Sequence, residues 1–302
     1  MKEILKITAS LTGVCIAAAL ILGAVYTQTE QARKDIEKKE REEIVQGLLG
    51  FGHGKKAPSD LTVYSVDRYV INDPSGRTLL GYLLPMKGGK FSLMEIDLSG
   101  KPGKVLPLEA KPGELAEQAG RDKAVRAALP SGSKANFAET IYIADLGDKR
   151  LGYVLPGTTQ GFKTFVDLMV SLEPDFTVSG VAVTESEEDP GLGAEIQQAY
   201  FRNQFVGKTL EILKNLKVVK EPLPSSYLDA LDPEKAKRAG LSPEQVKEIR
   251  EKHLKDNIYA LTGATISSRA VTRGVKDIVR KFVYRFDILN KAIEQENVQP
   301  AF

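Results

Sequence analysis

The N-terminal hydropathy pattern is an uninterrupted apolar run. Ile7 to Val25 reads ITASLTGVCIAAALILGAV, a stretch without a charged side chain. A helix of about 19 residues, rising about 1.5 Å per residue, is long enough to cross a hydrocarbon layer of roughly 30 Å. We therefore expect residues 1–26 to be a membrane anchor with one transmembrane helix. Lys2 and Lys6 before the run, and small residues near its end, leave a cleaved secretory signal as the alternative.

A polar segment follows the apolar run. Gln28 to Gln46 is dense in Glu, Lys and Arg, and glycines and a proline then interrupt the pattern up to Asp60. This composition predicts a solvated stalk and linker over residues 27–60. The positive-inside rule would hold such a basic stalk in the cytoplasm, so charge alone leaves the orientation of the chain open. The basic residues concerned are Arg33, Lys34, Lys38, Lys39 and Arg41.

Two later stretches resemble each other. Asn72 to Pro85 reads NDPSGRTLLGYLLP, and Ala144 to Pro156 reads ADLGDKRLGYVLP. Each is a turn followed by a β-rich run, which predicts either two related α+β units or a chance similarity. We place a first α+β unit at residues 61–134. Alternating β-branched residues in TFVDLMVSL and TVSGVAVTES then predict adjacent antiparallel strands in a second, sheet-rich domain.

Helical patterns dominate the C-terminal third. Residues 222–257 form a polar insertion with one short helix opened by Asp232 and Pro233 and another opened by a capping box from Ser242 to Gln245. After Thr265, apolar residues recur at spacings of three and four, which predicts an amphipathic helix on the sheet. These residues are Ala270, Val271, Val275, Ile278, Val279, Phe282 and Phe286. We expect an α+β domain over residues 135–290 and a tail over 291–302.

Charge and residue counts exclude several classes of protein. The chain of 302 residues carries 42 Lys and Arg against 40 Asp and Glu, well interspersed, so no basic face indicates a nucleic-acid partner. One cysteine, Cys15, and two histidines, His53 and His253, cannot build a cysteine-ligated iron–sulfur cluster, a disulfide framework or a three-histidine zinc site. We expect no metal site. Any redox chemistry must therefore come from a cofactor held in another way.

The segment Leu261–Ser268, LTGATISS, has the strongest chemical pattern. Gly263 and Ala264 remove side-chain bulk directly before Thr265, so a large ligand can approach the backbone and the Thr265 hydroxyl stays accessible. Two serines, Ser267 and Ser268, are predicted N-caps of the following helix, whose free N–H groups suit a phosphate. The alternative is an ordinary strand-to-helix turn.

A second pattern runs from Glu185 to Glu195, ESEEDPGLGAE. Four acidic residues lead into the P-G-L-G sequence, in which two glycines flank Leu192. Such a loop can hold one apolar side chain against a flat ring while the backbone passes close by. The alternative is a solvated acidic loop closed by a Pro-Gly turn.

Together the two patterns resemble a known family. E-D-P-G-L-G at Glu188–Gly193, followed by L-T-G-A-T-I-S-S-R-A-V-T at Leu261–Thr272 and a C-terminal helix, resembles the FMN-binding domain shared by the G subunit of Rnf complexes and the C subunit of sodium-pumping NADH:quinone reductases. The N-terminal anchor and the run FRNQFVGK at Phe201–Lys208 are similar too. The resemblance implies FMN bound covalently through its phosphate to Thr265 by a dedicated flavin transferase. It also implies that Thr262, Gly263, Ala264, Ser267 and Ser268 lie around the attachment point, and that Glu188, Leu192 and Gly193 lie near the flavin ring.

The function implied by the resemblance is electron transfer without catalytic side chains. The chain would be an electron carrier in an Rnf-type ferredoxin:NAD oxidoreductase, a translocase that moves Na⁺ or H⁺, with other membrane subunits as partners and the domain on the outer face of the cytoplasmic membrane. A C-type quinone-reductase subunit and a tethered binding or regulatory module without flavin are the alternatives. One position departs from the family, since Tyr259 stands where members often have aspartate, and the nearest acid is Asp256.

Overall fold

The computed structural model describes residues 2–52, 55–109, 112–115 and 117–302. The predicted linker therefore includes two residues, 53 and 54, that lie outside the described part of the chain. The chain divides into two compact units, Met1–Gly47 and Leu48–Phe302.

The N-terminal unit is one long helix, α1 (Lys2–Leu48). It joins the apolar run and the polar stalk in a single element of 47 residues, about 70 Å long at the usual helical rise. One 18-residue window of α1 has a mean hydropathy of 2.1, so α1 is a candidate membrane span by length and composition. A signal sequence near the N-terminus meets the same criterion of length and composition.

The second unit is built on one antiparallel sheet with the strand order β4-β3-β2-β1-β5-β6-β7-β8. Its strands are β1 (Leu61–Asn72), β2 (Thr78–Met86), β3 (Lys90–Asp97), β4 (Pro102–Pro107), β5 (Lys134–Leu146), β6 (Lys149–Gln160), β7 (Phe165–Leu172) and β8 (Val178–Ser186). Two four-stranded meanders are thus joined edge to edge by the pairing of β1 with β5.

The repeated L-G-Y sequence occupies the same place in both meanders. Tyr82 lies on β2 and Tyr153 on β6, the second strand of each meander, and both rings are buried in one hydrophobic cluster. The structure therefore places the stretches predicted as residues 61–134 and 135–290 in one continuous sheet. The α+β class is confirmed.

Several helices accompany the sheet, and they pack on its faces or on one another. They are α2 (Gln118–Ala128), α3 (Ala199–Arg202), α4 (Leu210–Asn215), α5 (Ser225–Leu231), α6 (Pro233–Arg238), α7 (Pro243–Lys252) and α8 (Thr265–Gln295). Helix α8 packs against the face that carries Tyr82 and Leu84, and α2 packs against the opposite face, which carries Leu83. Strands β9 (Val218–Val219) and β10 (Ile258–Tyr259) form a small parallel pair.

The predicted C-terminal elements are present with some changes. Both helix starts in the 222–257 insertion are as predicted, since Asp232 caps α6 and Ser242 forms the capping box of α7. Helix α5 was not predicted, and it buries Tyr227. The amphipathic helix α8 is confirmed; it continues to Gln295, so the segment 291–302, predicted as a tail, begins inside it.

Candidate functional site

A tight turn precedes α8 and presents Thr265 as the first helical residue. The backbone N–H of Ala264 donates to the carbonyl oxygen of Leu261 at 3.0 Å, and Gly263 has φ +75°, a left-handed conformation that favours glycine. Thr262 and Gly263 are exposed, whereas Thr265 is half-buried. The threonine hydroxyl therefore stands at the start of a helix, beside a stretch of bare backbone.

Ser267 and Ser268 do not cap α8, and this prediction is wrong. The helix begins at Thr265, so both serines lie inside its first turn, and the N-cap position belongs to Ala264, which makes no side-chain cap. The Ser268 hydroxyl accepts from the N–H of Leu261 at 3.0 Å and donates to the carbonyl of Ala264 at 2.9 Å. Ser268 therefore closes the turn from within instead of capping the helix.

Glu188 is the centre of the site. Its Oε2 accepts from the hydroxyl of Ser267 at 2.5 Å, and its Oε1 accepts from the backbone N–H of Phe162 at 2.6 Å. The Glu188 side chain is buried. One carboxylate thus joins three segments that are far apart in sequence: the β6–β7 hairpin, the loop after β8 and the first turn of α8.

Two glycines make room for this carboxylate. A Cβ atom on Gly161 would lie 2.3 Å from Glu188 Oε1, and one on Gly193 would lie 2.5 Å from Oε2. Both distances are far shorter than any real contact, so neither position accepts a side chain without moving Glu188. The sequence predicts Gly193 but not Gly161 or Phe162, for which the Q-G-F-K turn between two strands is the available signal.

The P-G-L-G loop lies directly against the turn before Thr265. The carbonyl oxygen of Asp189 accepts from the N–H groups of Leu192 and Ala194, which folds the loop back on itself. A Cβ atom on Gly263 would come within 2.9 Å of Leu192 Cδ2, so the leucine side chain packs over that glycine. The structure therefore brings the two predicted motifs together.

An ion pair fixes the other side of the P-G-L-G loop. Lys163 on the β6–β7 hairpin bonds Asp189 at 2.5 Å. Hydrogen bonding to Asp189 and the Coulombic attraction of its carboxylate raise the pKa of Lys163. The pair therefore ties the P-G-L-G loop to the hairpin.

Large apolar side chains are exposed around these loops. Phe162, Leu192 and Ile266 are 57%, 46% and 54% exposed, and each adjoins Glu188, Gly263 or Thr265 in the contacts described above or in sequence. Such side chains suit a flat aromatic ligand. The first N–H groups of a helix have no intrahelical acceptor and suit its phosphate. These donors and the open backbone at Gly263 fit FMN.

Tyr259 and Asp256 form a separate contact before the turn. The Tyr259 hydroxyl donates to Asp256 Oδ2 at 3.0 Å, and His253 Nδ1 bonds the same oxygen at 2.7 Å. Partial burial and the Asp256 carboxylate raise the pKa of Tyr259. No group of three or more metal-ligating side chains occurs among the residues that the structure describes.

Comparison with known proteins relates the site to a family. Residues 161–280 match the FMN-binding domain family, a range that includes Glu188, Leu192 and Thr265. The chain is 30% identical over 149 residues to the G subunit of the proton-translocating ferredoxin:NAD(+) oxidoreductase complex of Clostridium ljungdahlii, covering 49% of this chain and 63% of that protein. It is 30% identical over 136 residues to the G subunit of the Na(+)-translocating complex of Acetobacterium woodii, covering 45% and 51%.

The chain is also similar to C subunits of Na(+)-translocating NADH-quinone reductases. The C subunit of the Na(+)-translocating NADH-quinone reductase of Vibrio vulnificus is 38% identical over 71 residues, covering 23% of this chain and 28% of that protein. The crystal structure of NqrC from Shewanella oneidensis covers 49% of this chain and 58% of its own, at 22% identity and a TM-score of 0.35. The chain spans less than two thirds of each of these relatives. The resemblance seen in the motifs is confirmed.

Proposed function

We propose, from the FMN-binding domain at residues 161–280, that this chain is an electron carrier whose FMN is esterified through its phosphate to Thr265. The observation that supports the attachment point is the position of Thr265 at the start of α8, after an exposed Thr262-Gly263 turn. The Thr265 oxygen would bond to the phosphorus of the flavin as the bond from that phosphorus to the leaving group of an activated flavin breaks, and the leaving group takes the hydroxyl proton; the product equals the chain plus FMN less one water. A transferase must supply the activated flavin.

The chain's own groups have three separate tasks at this site. The N–H groups of the first turn of α8 would bind the phosphate, and the positive end of the helix dipole would favour its charge. Leu192, which packs over Gly263, would lie against the ring and limit its contact with water, while Glu188 holds the two loops in register. Bound flavin supplies one- and two-electron transfer, so the protein needs no acid, base or nucleophile of its own.

We assign the chain to an Rnf-type ion-translocating ferredoxin:NAD oxidoreductase, with other membrane subunits and a flavin transferase as partners. The two G-subunit relatives match over 149 and 136 residues, against 71 to 114 residues for the C-subunit relatives, which favours this assignment over a C-type subunit. Helix α1 would anchor the chain in the cytoplasmic membrane as a single span, with the domain on the outer face.

Mass spectrometry of the protein from its native host tests the attachment. We expect the intact mass to exceed the sequence mass by FMN less one water, and in-gel flavin fluorescence to survive denaturation. Thr265→Ala removes the acceptor oxygen and should abolish both signals. Thr262→Ser, which keeps a hydroxyl on the same turn, should retain them.

Two results would contradict the proposal. Covalent flavin that persists in Thr265→Ala would place the ester on another residue. A native protein that holds no flavin after denaturation, although the transferase is active in the same cells, would favour the tethered module without covalent flavin.

A further inference from the structure

A second cleft lies between the sheet and the middle of α8, away from Thr265. It has a volume of about 250 Å³ and is lined by β1, β5, β6 and α8. The first α8 residue in its wall is Gly274, two and a half turns or about 13 Å along the helix from Thr265. The cleft therefore belongs to a different part of the domain from the proposed flavin site.

Two arginines share one carboxylate in this cleft. Arg68 on β1 and Arg285 on α8 both donate to Glu139 Oε1, each at 2.7 Å. Arg68 is only 9% exposed, so its charge is largely removed from water. A single carboxylate neutralises one of the two guanidinium groups, and the other leaves an excess positive charge in a partly dry site.

The remaining charges of the cleft add to this excess. Asp277 lies in the wall, but its carboxylate pairs with Arg280, which does not line the cleft, at 2.9 Å. Lys281 also lines the cleft and is exposed, and no ion pair to it is found in the described part of the chain. After pairing, the cleft keeps more positive than negative charge.

The rest of the lining is uncharged: the hydroxyls of Thr158 and Thr159 already donate to Asp167 and to the carbonyl oxygen of Ala270, and the other side chains are apolar. Ile141, Leu155 and Phe282 are buried in the core and contribute to the wall. A cationic end beside an apolar wall suits a ligand with an anionic group and an apolar body, and the volume is near the lower limit for ligand sites. Arginine has a planar fork that matches carboxylate and phosphate groups.

We propose that this cleft binds a small organic anion, a carboxylate or phosphate monoester with an apolar body, whose anionic group is held by Arg285 and Arg68. Helix α8 carries both Arg285 and Thr265, so the ligand would bind the helix that also bears the proposed flavin. The binding itself does not depend on FMN.

Thermal unfolding of the full chain in detergent micelles tests the cleft. Phenyl phosphate and benzoate serve as the two anionic probes, and they distinguish phosphate from carboxylate as the preferred group. We expect at least one of them to raise Tm in a saturable manner. Benzyl alcohol, the neutral probe of similar shape, and inorganic phosphate, which lacks the apolar body, should give little or no increase.

Three variants test whether the anion binds in this cleft. Arg285→Gln should weaken binding of the effective probe about tenfold or more, since it removes charge-assisted hydrogen bonds. Lys281→Gln, at an exposed position that the fold tolerates, should weaken it by a smaller factor and provides a second test where Arg285→Gln does not fold. Arg273→Gln changes an exposed arginine of α8 outside the cleft and should leave binding unchanged.

The proposal is overturned if neither anion raises Tm, or if benzyl alcohol or inorganic phosphate raises it equally. Equal binding by the wild type, Arg285→Gln and Lys281→Gln would also overturn it. Flavin content is measured in each sample, so a failure of FMN attachment is scored separately from a failure of anion binding.

Discussion

The Glu188 side chain holds separate segments of the site together. Its carboxylate accepts from Phe162 and Ser267, and glycines at 161 and 193 leave it the necessary space. A buried carboxylate is costly unless its oxygens are hydrogen-bonded, and here both are. Glu188 therefore contributes to the site by fixing the positions of the β6–β7 hairpin and the first turn of α8.

Glu188→Ala should destabilise the domain by about 2–4 kcal/mol, because it leaves the Phe162 N–H and the Ser267 hydroxyl unpaired and opens a void. Glu188→Gln keeps the volume and should cost about 1 kcal/mol. Urea denaturation measures both. Glu187→Ala alters the exposed neighbour and is the control. Equal destabilisation by the variants at positions 187 and 188 would contradict this role.

Leu192 is the residue whose substitution reports on the ring. Leu192→Asp should leave the Thr265 ester intact but lower the flavin's reduction potential, because a carboxylate beside the ring opposes the added negative charge. Spectroelectrochemical titration measures the potential. Leu98→Asp, at an exposed leucine on the β3–β4 turn, is the control. An unchanged spectrum and potential in folded Leu192→Asp would show that the P-G-L-G loop is an ordinary turn that does not contact the ring.

Some residues of the site have roles that no local sequence pattern predicts. Thr265, Gly263 and Leu192 were found because their chemistry is local: a left-handed glycine, a hydroxyl and an apolar side chain between glycines. The role of Ser267 depends on Glu188, which is 79 positions away. A contact of that separation leaves no local pattern, and the serines were therefore assigned to the nearest familiar task, capping.

At the scale of elements, local signals were dependable. The capping box at Ser242 and the spacing of apolar residues after Thr265 both predicted real helices, because capping and amphipathic burial are determined within one or two turns. Helix α5 escaped prediction since it follows Pro222 and Pro224 closely and has only seven residues. Packing stabilises α5: its Tyr227 ring stacks on His253, with 4.4 Å between the ring centroids.

Lys208 connects the loop before α4 to the segment after α7, and its buried amino group makes the stability of the domain depend on pH. Its Nζ donates to the carbonyl oxygens of Leu254 and Asp256 after α7, at 2.7 and 2.8 Å. Burial lowers the pKa of Lys208 from 10.5 to about 8, and the Asp256 carboxylate offsets only part of this shift. Between these two values the unfolded chain binds a proton that the folded chain does not bind, so stability increases as pH rises.

We therefore expect the free energy of unfolding of the wild type, relative to Lys208→Met, to increase between pH 8 and pH 10. Below pH 8 the difference should be constant. Urea denaturation at several pH values measures it. Lys214→Met, at an exposed lysine of α4, should give a profile parallel to the wild type. A difference that falls or stays constant over this range would contradict the lowered pKa of Lys208.

At the scale of the whole molecule, the repeat of L-G-Y predicted two related units but did not predict that they share one sheet. Each meander is made of hairpins with short connections, and these are predictable from turns and alternation. The pairing of β1 with β5 depends on which edges meet after folding, a non-local choice. The sequence therefore suggested two units, whereas the structure has one sheet.

Removal of residues 2–25 should leave a soluble domain. Apolar side chains of α1, such as Ile4, Leu11 and Leu22, are 64–70% exposed, and the deletion removes them. Fractionation after expression without partner subunits measures the distribution of the protein. Recovery of the truncated chain in salt-washed membranes would contradict a single anchor.

The β1–β5 pairing also has a consequence for the order of events during synthesis. The ribosome completes β1 to β4 first, and roughly 75 further residues must emerge after β1 before β5 is complete, about 4 to 15 seconds at ordinary translation rates. Until then β1 is an open edge that can pair with another nascent chain. Slower elongation lengthens this interval, so misassembly on crowded polysomes should depend on codon usage between β1 and β5.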